Sequence, residues 1–257
     1  MKYKIALHTD VGTQKKNNQD SVCIRQAVTA AGTITMVVMC DGMGGLEKGE
    51  VASATLITAF AEWFETELPQ YLTQVNPADE VRYRWGRIIR ERNQAIAAYG
   101  RDQGIQLGST ITAMIIFENG KYLIVHVGDT RAYRITDTAL QQLTMDQTLV
   151  AREVRMGRMT PEQAAADPRR NVLLQCVGAS RIVEPDFIEG MVEQGACYML
   201  CSDGFRHVVT EEEICAALAP AVSMSEPAMK ENLIRLTEMN KQRGETDNIT
   251  AVLLKVE

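Results

Sequence analysis

Hydrophobic and polar positions change period several times along the chain, and the changes divide it into strand and helix blocks. Tyr3, Ile5 and Leu7 alternate with polar neighbours and predict a first strand that ends at Asp10-Val11-Gly12. Residues 13–20, TQKKNNQD, hold no apolar side chain and read as a surface loop that presents two lysines, two asparagines and an acid. Val22 and Ile24 open a second strand, Ala31-Gly32 turns the chain, and Thr33 to Cys40 returns as a third. Met36 to Cys40 is an unbroken apolar run, which suits a strand covered on both faces. From Glu47 the spacing becomes helical: Val51, Ala54, Ile57, Ala61 and Phe64 recur on one face until Leu68-Pro69 ends the run, and a second helix fits Ala78 to Gln103.

Strands resume with Ser109 to Phe117, Lys121 to Val127 and Arg131 to Ile135, which read as a meander because Asn119-Gly120 is a strong hairpin signal and Gly128-Asp129 a tight connection. Gln147 to Asp167 is helical and charged, its second piece opened by the N-cap Thr160 and Pro161, and it predicts a peripheral subdomain. Val172 to Val177, Phe187 to Val192 and Ala196 to Cys201 read as strands, Thr210 to Leu218 and Glu226 to Gln242 as helices, and the AVLLKV segment as a closing strand. Strands, two helices, strands, two helices and a strand point to an α+β fold of antiparallel sheets flanked by helices, not to an alternating parallel one.

Composition narrows the function classes. With 46% hydrophobic and 23% charged residues, the chain has the make-up of a globular protein. At 257 residues it lies within the range of one large layered domain, and nothing in it reads as a linker. No apolar run exceeds six residues, so no membrane-spanning helix is expected, and the start MKYKIALHTD lacks a signal-peptide apolar region; the expectation is a cytoplasmic protein. A formal net charge of −6 without a basic stretch argues against nucleic-acid binding. Cys23, Cys40, Cys176, Cys197, Cys201 and Cys215 show no CxxC spacing and read as small buried hydrophobes. His8 and His126, far apart in strand-like alternation, read as packing residues.

The acids are more informative. Asp41 closes a buried-type strand and is followed by glycines, so it reads either as a metal ligand or as a turn aspartate. Asp20 and Asp41 begin and end a hairpin-like pair, which in antiparallel pairing sets both at one edge. Asp203, after Cys201-Ser202, and Asp247, before the last strand, repeat the same setting, with Asp129 in Gly128-Asp129-Thr130 as a fifth candidate. Acids converging without bases need a cation, and an all-oxygen set suits magnesium, manganese or calcium rather than zinc. Without a twelve-residue calcium loop, a two-metal catalytic site is preferred to a structural calcium site. The stretch GMGGLEKGE lacks the Gly-Lys-Ser/Thr ending of a nucleotide-binding P-loop.

NNQD at 17–20, DGMGG at 41–45, GDTRAY at 128–133, LTMDQTLV at 143–150, RRNVLLQCVG at 169–178, SDG at 202–204 and DNIT at 247–250 follow one another in an order that resembles the metal-dependent PPM-type (type two-C) serine/threonine protein phosphatases in their compact bacterial form. The resemblance spans essentially the whole chain. It implies a four-layer sandwich of two antiparallel β-sheets flanked by pairs of α-helices, a single phosphatase domain over 1–257 and a flap subdomain at about 144–180. It implies two tightly bound manganese or magnesium ions bridged by Asp41, with Asp203 and Asp247 completing one, Asp20 and the Gly42 carbonyl serving the other, and Asp129 helping to hold a third, looser ion. Hydrolysis of phosphoserine and phosphothreonine by a hydroxide bridging two ions then needs no protein nucleophile.

Three positions depart from the family pattern. Lys15 stands where an arginine normally grips the substrate phosphate, and it supplies a point charge in place of a bidentate fork. Gln19 replaces a common glutamate, and Met43 stands where the eukaryotic branch has a histidine proposed as general acid. The expected partners are phosphorylated proteins and a cognate serine/threonine kinase, with neither nucleic acid nor membrane, for a monomeric enzyme. The alternative is a catalytically silent, metal-binding phosphoprotein sensor or scaffold of the same fold.

Overall fold

A computed structural model describes the chain except for residues 31, 44–47 and 73–75. Ala31 of the expected turn, Gly44 and Gly45 of the glycine loop, and Glu47 at the expected helix start lie outside the described residues. One antiparallel sheet contains β1 (Tyr3–Asp10), β6 (Arg131–Ile135), β7 (Leu140–Gln142), β9 (Cys197–Cys201) and β10 (Ile249–Val256), in the order β1-β10-β9-β6-β7. The other contains β2 (Asp20–Val28), β3 (Thr33–Asp41), β4 (Ile111–Ile116), β5 (Lys121–Val127) and β8 (Asp186–Met191), in the order β2-β3-β4-β5-β8.

Alternation along β3 shows why its sequence is a continuous apolar run. Met36, Val38 and Cys40 face α1 (Gly49–Thr66) and α3 (Pro77–Gln103), where Phe60, Trp63 and Trp85 fill the layer. Val37 and Met39 point the other way, into a core shared with Tyr198, Leu200, Val252 and Leu254 of the opposite sheet. On the far side α6 (Glu211–Leu218) and α7 (Glu226–Gln242) cover Met199, Ala251 and Leu253. The order is helices, sheet, sheet, helices, as the resemblance implies. Trp63 and Trp85 meet edge-on with centroids 5.5 Å apart. Thr210 and Thr160 cap α6 and α5 (Pro161–Ala166) with full capping boxes.

Two expectations fail. The predicted meander breaks after β5, because β6 belongs to the other sheet. Gly128 makes the crossing: its φ is 109°, and a Cβ there would lie 2.6 Å from Thr110 Cγ2. Turn chemistry reports that the chain reverses, not which sheet it enters. Val172 to Val177 forms no strand, only the isolated bridges Thr148↔Leu173 and Ser109↔Val177, and its apolar Val172 and Leu174 are exposed. The three-residue β7, with one apolar position, carried too short a pattern to predict. Among the described residues no helix is long and apolar enough to cross a membrane.

Candidate metal centre

Pairing of β2 with β3 sets Asp20 directly opposite Asp41 at one end of the sandwich, the end the sequence predicted. The Asp41 backbone is tied down on both sides: its N–H donates to Thr110 Oγ1 at 3.0 Å, and its carbonyl accepts from Thr110 N at 2.9 Å and Ser109 Oγ at 3.0 Å. Gly42 follows, its N–H donating to the Gln19 carbonyl at 3.1 Å. A Cβ at Gly42 would lie 2.4 Å from the Gly49 carbonyl oxygen, so only glycine lets the start of α1 come this close.

From the other sheet, Asp203 opens the short 3₁₀ turn after β9, and Asp247 stands just before β10. These strands are neighbours, and a Cβ on Gly204 would lie 2.3 Å from the Asn248 carbonyl oxygen. The two sheets are stitched together at this end by polar side chains. Ser202 Oγ donates to Asp20 Oδ2 at 2.9 Å and accepts from Thr250 N at 3.1 Å, while Asn248 Oδ1 accepts from Gln19 N at 2.9 Å. Asn248 Nδ2 donates to the carbonyls of Val11 and Asn17, which anchors the loop that carries Lys15. Lys15 Nζ lies 2.9 Å from Asp247 Oδ1.

Asp129, 7% exposed, sits on the crossing between sheets. Arg206 Nη2 donates to its carbonyl at 2.8 Å and lies 3.5 Å from Asp146. Asp146 in turn takes a bidentate grip from Arg131 at 2.7 and 2.8 Å. Beside them His207 Nε2 is 3.4 Å from Asp203 Oδ2, and its Nδ1 is 3.3 Å from Glu245 Oε2. A cavity of about 870 Å³ runs from Asp129, His207 and Asp247 to Val150 of α4 (Leu149–Arg155) and Ala164 of α5.

The carboxylates sense one another. Burial pushes Asp20 up to about 7, Asp203 and Asp247 adding to it against hydrogen bonds from Thr250 and Ser202. Burial also raises Asp129 to about 7, with Asp203 contributing. Asp41 lies well above the usual carboxylate range, first through burial and then through Asp20, Asp203, Asp129 and Asp247 together. Buried Asp20 Oδ1 and Asp203 Oδ1 have no hydrogen-bond partner among the described residues. Orphaned oxygens within a set of mutually repelling acids fit a hard divalent cation, whose charge offsets the repulsion and whose ligands are oxygens. Among the described residues no three His, Cys, Asp or Glu side chains close on one point; what links the five aspartates is that Asp20, Asp203, Asp129 and Asp247 all act on Asp41.

All five predicted aspartates therefore gather at one end of the sandwich. Ser202, His207, Glu245, Asn248, Asp146 and Arg206 were not predicted. Ser202 and Asn248 lie inside the SDG and DNIT strings, where a polar neighbour of each aspartate was the available signal. Asp146 likewise lies inside the LTMDQTLV string, whereas Glu245 and Arg206 carried no signal, because a charged residue in a loop reads as solvated until its partner is known.

Residues 11–242 match the model of a family described as protein phosphatase 2C. A match over that share of the chain defines the protein as a phosphoprotein hydrolase. The chain belongs to the protein phosphatase 2C family, and the motif resemblance is borne out. It is 32% identical over 255 residues to the protein phosphatase PhpP of Streptococcus pneumoniae, covering 98% of this chain and 97% of that protein. The serine/threonine phosphatase of S. agalactiae superposes with a TM-score of 0.84 at 30% identity, each chain covered in full. The catalytic domain of the serine/threonine protein phosphatase PstP, solved in complex with 2 manganese ions, superposes with a TM-score of 0.78 at 31% identity and covers 99% of both chains. Protein dephosphorylation in this family is metal-dependent.

Proposed function

We propose that the acidic end of the sandwich hydrolyses phosphoserine and phosphothreonine in proteins, with two manganese or magnesium ions held tightly and a third more loosely. Asp41 serves both tight ions, Asp203 and Asp247 complete one, Asp20 and the Gly42 carbonyl serve the other, and Asp129 helps to hold the third. The observation that carries this reading is the Asp20–Asp41 pair, set opposite each other across β2 and β3, with Asp20 Oδ1 buried and without a partner among the described residues. Such ions, when bound, polarise the phosphoryl group and acidify water for in-line attack.

The protein's own groups bind and orient. Lys15, already beside Asp247, supplies an ammonium at the edge of the site for the substrate phosphate dianion. Thr110 and Ser109 hold the Asp41 backbone still, and Arg206 and Arg131 brace the Asp129 segment through Asp146. Residues 144–180 form a flap beside the cleft, and Val150, Ala151 and Ala164 within it line the cavity. The Met43 thioether cannot donate a proton, so the leaving alkoxide takes its proton from a group other than residue 43.

The same reading makes the protein a cytoplasmic monomer that acts against a cognate serine/threonine kinase. The presence of all five aspartates favours catalysis over a silent sensor. The experiment is hydrolysis of a phosphothreonine peptide with manganese and with chelator. Turnover with manganese alone is expected; no turnover in either condition, with metal shown to be bound, would favour the sensor.

A further inference from the structure

His207 and Glu245 are neither among the five aspartates nor part of the substrate-binding loop, yet they join the two segments that supply Asp203 and Asp247. Glu245 is 6% exposed, and its carboxylate has internal partners on both oxygens. Oε1 accepts from the backbone N–H groups of Thr246 at 2.7 Å and Asp247 at 2.9 Å, while Oε2 is 3.3 Å from His207 Nδ1. The other ring nitrogen, His207 Nε2, is 3.4 Å from Asp203 Oδ2. Asp203 Oδ1 is left buried without a partner among the described residues. The carbonyl of Glu245 also accepts from Thr13 Oγ1 at 3.0 Å, two residues before Lys15.

One chain of contacts thus runs from the Asp247 backbone through Glu245 and His207 to one oxygen of Asp203. We propose that His207 and Glu245 are positioning residues for the metal centre: a bracket that engages Asp203 through Oδ2, reserves Oδ1 for the cation, and holds the backbone of Asp247 in the matching place. The proposal rests on Asp203 and Asp247 being ligands of one ion. Its physical basis is that a ligand carboxylate with one oxygen tethered has fewer orientations to lose on binding, and that partners behind metal ligands typically set affinity by about 10–100-fold. Gly204 serves the same junction by letting the two segments touch.

The test is calorimetric titration with manganese of the full chain and of His207→Ala, His207→Gln, Glu245→Gln and the His207→Ala/Glu245→Gln double variant, alongside the melting temperature in chelator. His207→Ala should weaken the affected manganese site by about 10-fold or more. His207→Gln should recover much of the loss, since its amide N–H offers Asp203 a donor in place of the ring nitrogen 3.4 Å away. The double variant should be little worse than the weaker single one, because both remove the same bracket. Manganese affinity within about twofold of wild type in His207→Ala, with only the chelator melting temperature lowered, would overturn the bracket and leave a merely structural pair. If His207→Ala does not fold, an unchanged affinity in Glu245→Gln overturns it equally. Asp203→Asn separates the two levels: if it keeps wild-type manganese binding, the ligand assignment falls and the bracket with it, whereas loss there with none in the His207 and Glu245 variants refutes the bracket alone.

Discussion

Removing one negative charge from the acidic end should stabilise the metal-free protein, and Asp20→Asn is the most informative substitution. The pKa of Asp20 rises from its ordinary 3.8 to about 7, chiefly through burial. Because the folded-state value is raised, the native protein holds a proton that the unfolded chain has already released. Stability of the metal-free protein is therefore intact below about pH 4, falls as pH rises, and levels off above about pH 7. A displacement of roughly 3 units at 1.36 kcal/mol each sets a ceiling of about 4 kcal/mol above pH 7. Asp41, Asp129, Asp203 and Asp247 share the repulsion, and Ser202 Oγ still has an acceptor in asparagine, so a gain of about 1–2 kcal/mol is the realistic expectation. For a chain of this length that is a melting temperature higher by about 3–6 °C near pH 8, and little changed near pH 4. Thermal unfolding in chelator at both pH values measures it. Saturating manganese should reverse the ranking, since the wild type gains more from the ion than the variant does. A wild-type metal-free protein whose stability is flat from about pH 4 to pH 8, or an Asp20→Asn variant no more stable than wild type near pH 8, would refute the clustering of these acids.

Lys15→Arg should lower KM for a phosphothreonine peptide by replacing a point charge with a fork, and Lys15→Ala should raise it; if neither moves KM or kcat by more than about twofold in steady-state kinetics, Lys15 does not touch the phosphate. Gly42→Ala would drive a methyl to 2.4 Å from the Gly49 carbonyl oxygen and 2.7 Å from that of Gln19. A loss of about 1–3 kcal/mol in denaturant unfolding and weaker manganese binding are expected, and wild-type values for both would show that this junction yields easily.

The fold was legible wherever a periodic pattern was long. The continuous run of β3 and the helical stripes of α1 and α3 are properties of faces, and Met36, Val38 and Cys40 report one face while Val37 and Met39 report the other. What could not be read was how strands are shared between sheets. Gly128 signals a tight connection in sequence, but only the membership of β5 and β6 in different sheets shows that the chain crosses there and carries Asp129 to the site. The five aspartates were legible because each interrupts a strand end with a charge. Ser202 and Asn248, which help to hold them in place, act through pairings across 182 residues for Ser202 with Asp20 and 229 for Asn248 with Gln19, and local pattern contains no trace of such pairs. Val172 and Leu174 gave the opposite error, apolar alternation on a segment that pairs with no sheet face and stays exposed.

The central claim is that Asp41 is shared by two tightly bound ions while Asp129 serves a looser one. Parallel manganese titrations of the wild type, Asp41→Asn and Asp129→Asn by calorimetry, with turnover of a phosphothreonine peptide measured on the same samples, test it most directly. Asp41→Asn should fold, lose high-affinity manganese binding and show no turnover, whereas Asp129→Asn should bind the first two ions nearly as the wild type does and lose mainly turnover. Equal loss of high-affinity manganese in both variants, or wild-type binding in Asp41→Asn, would contradict the assignment.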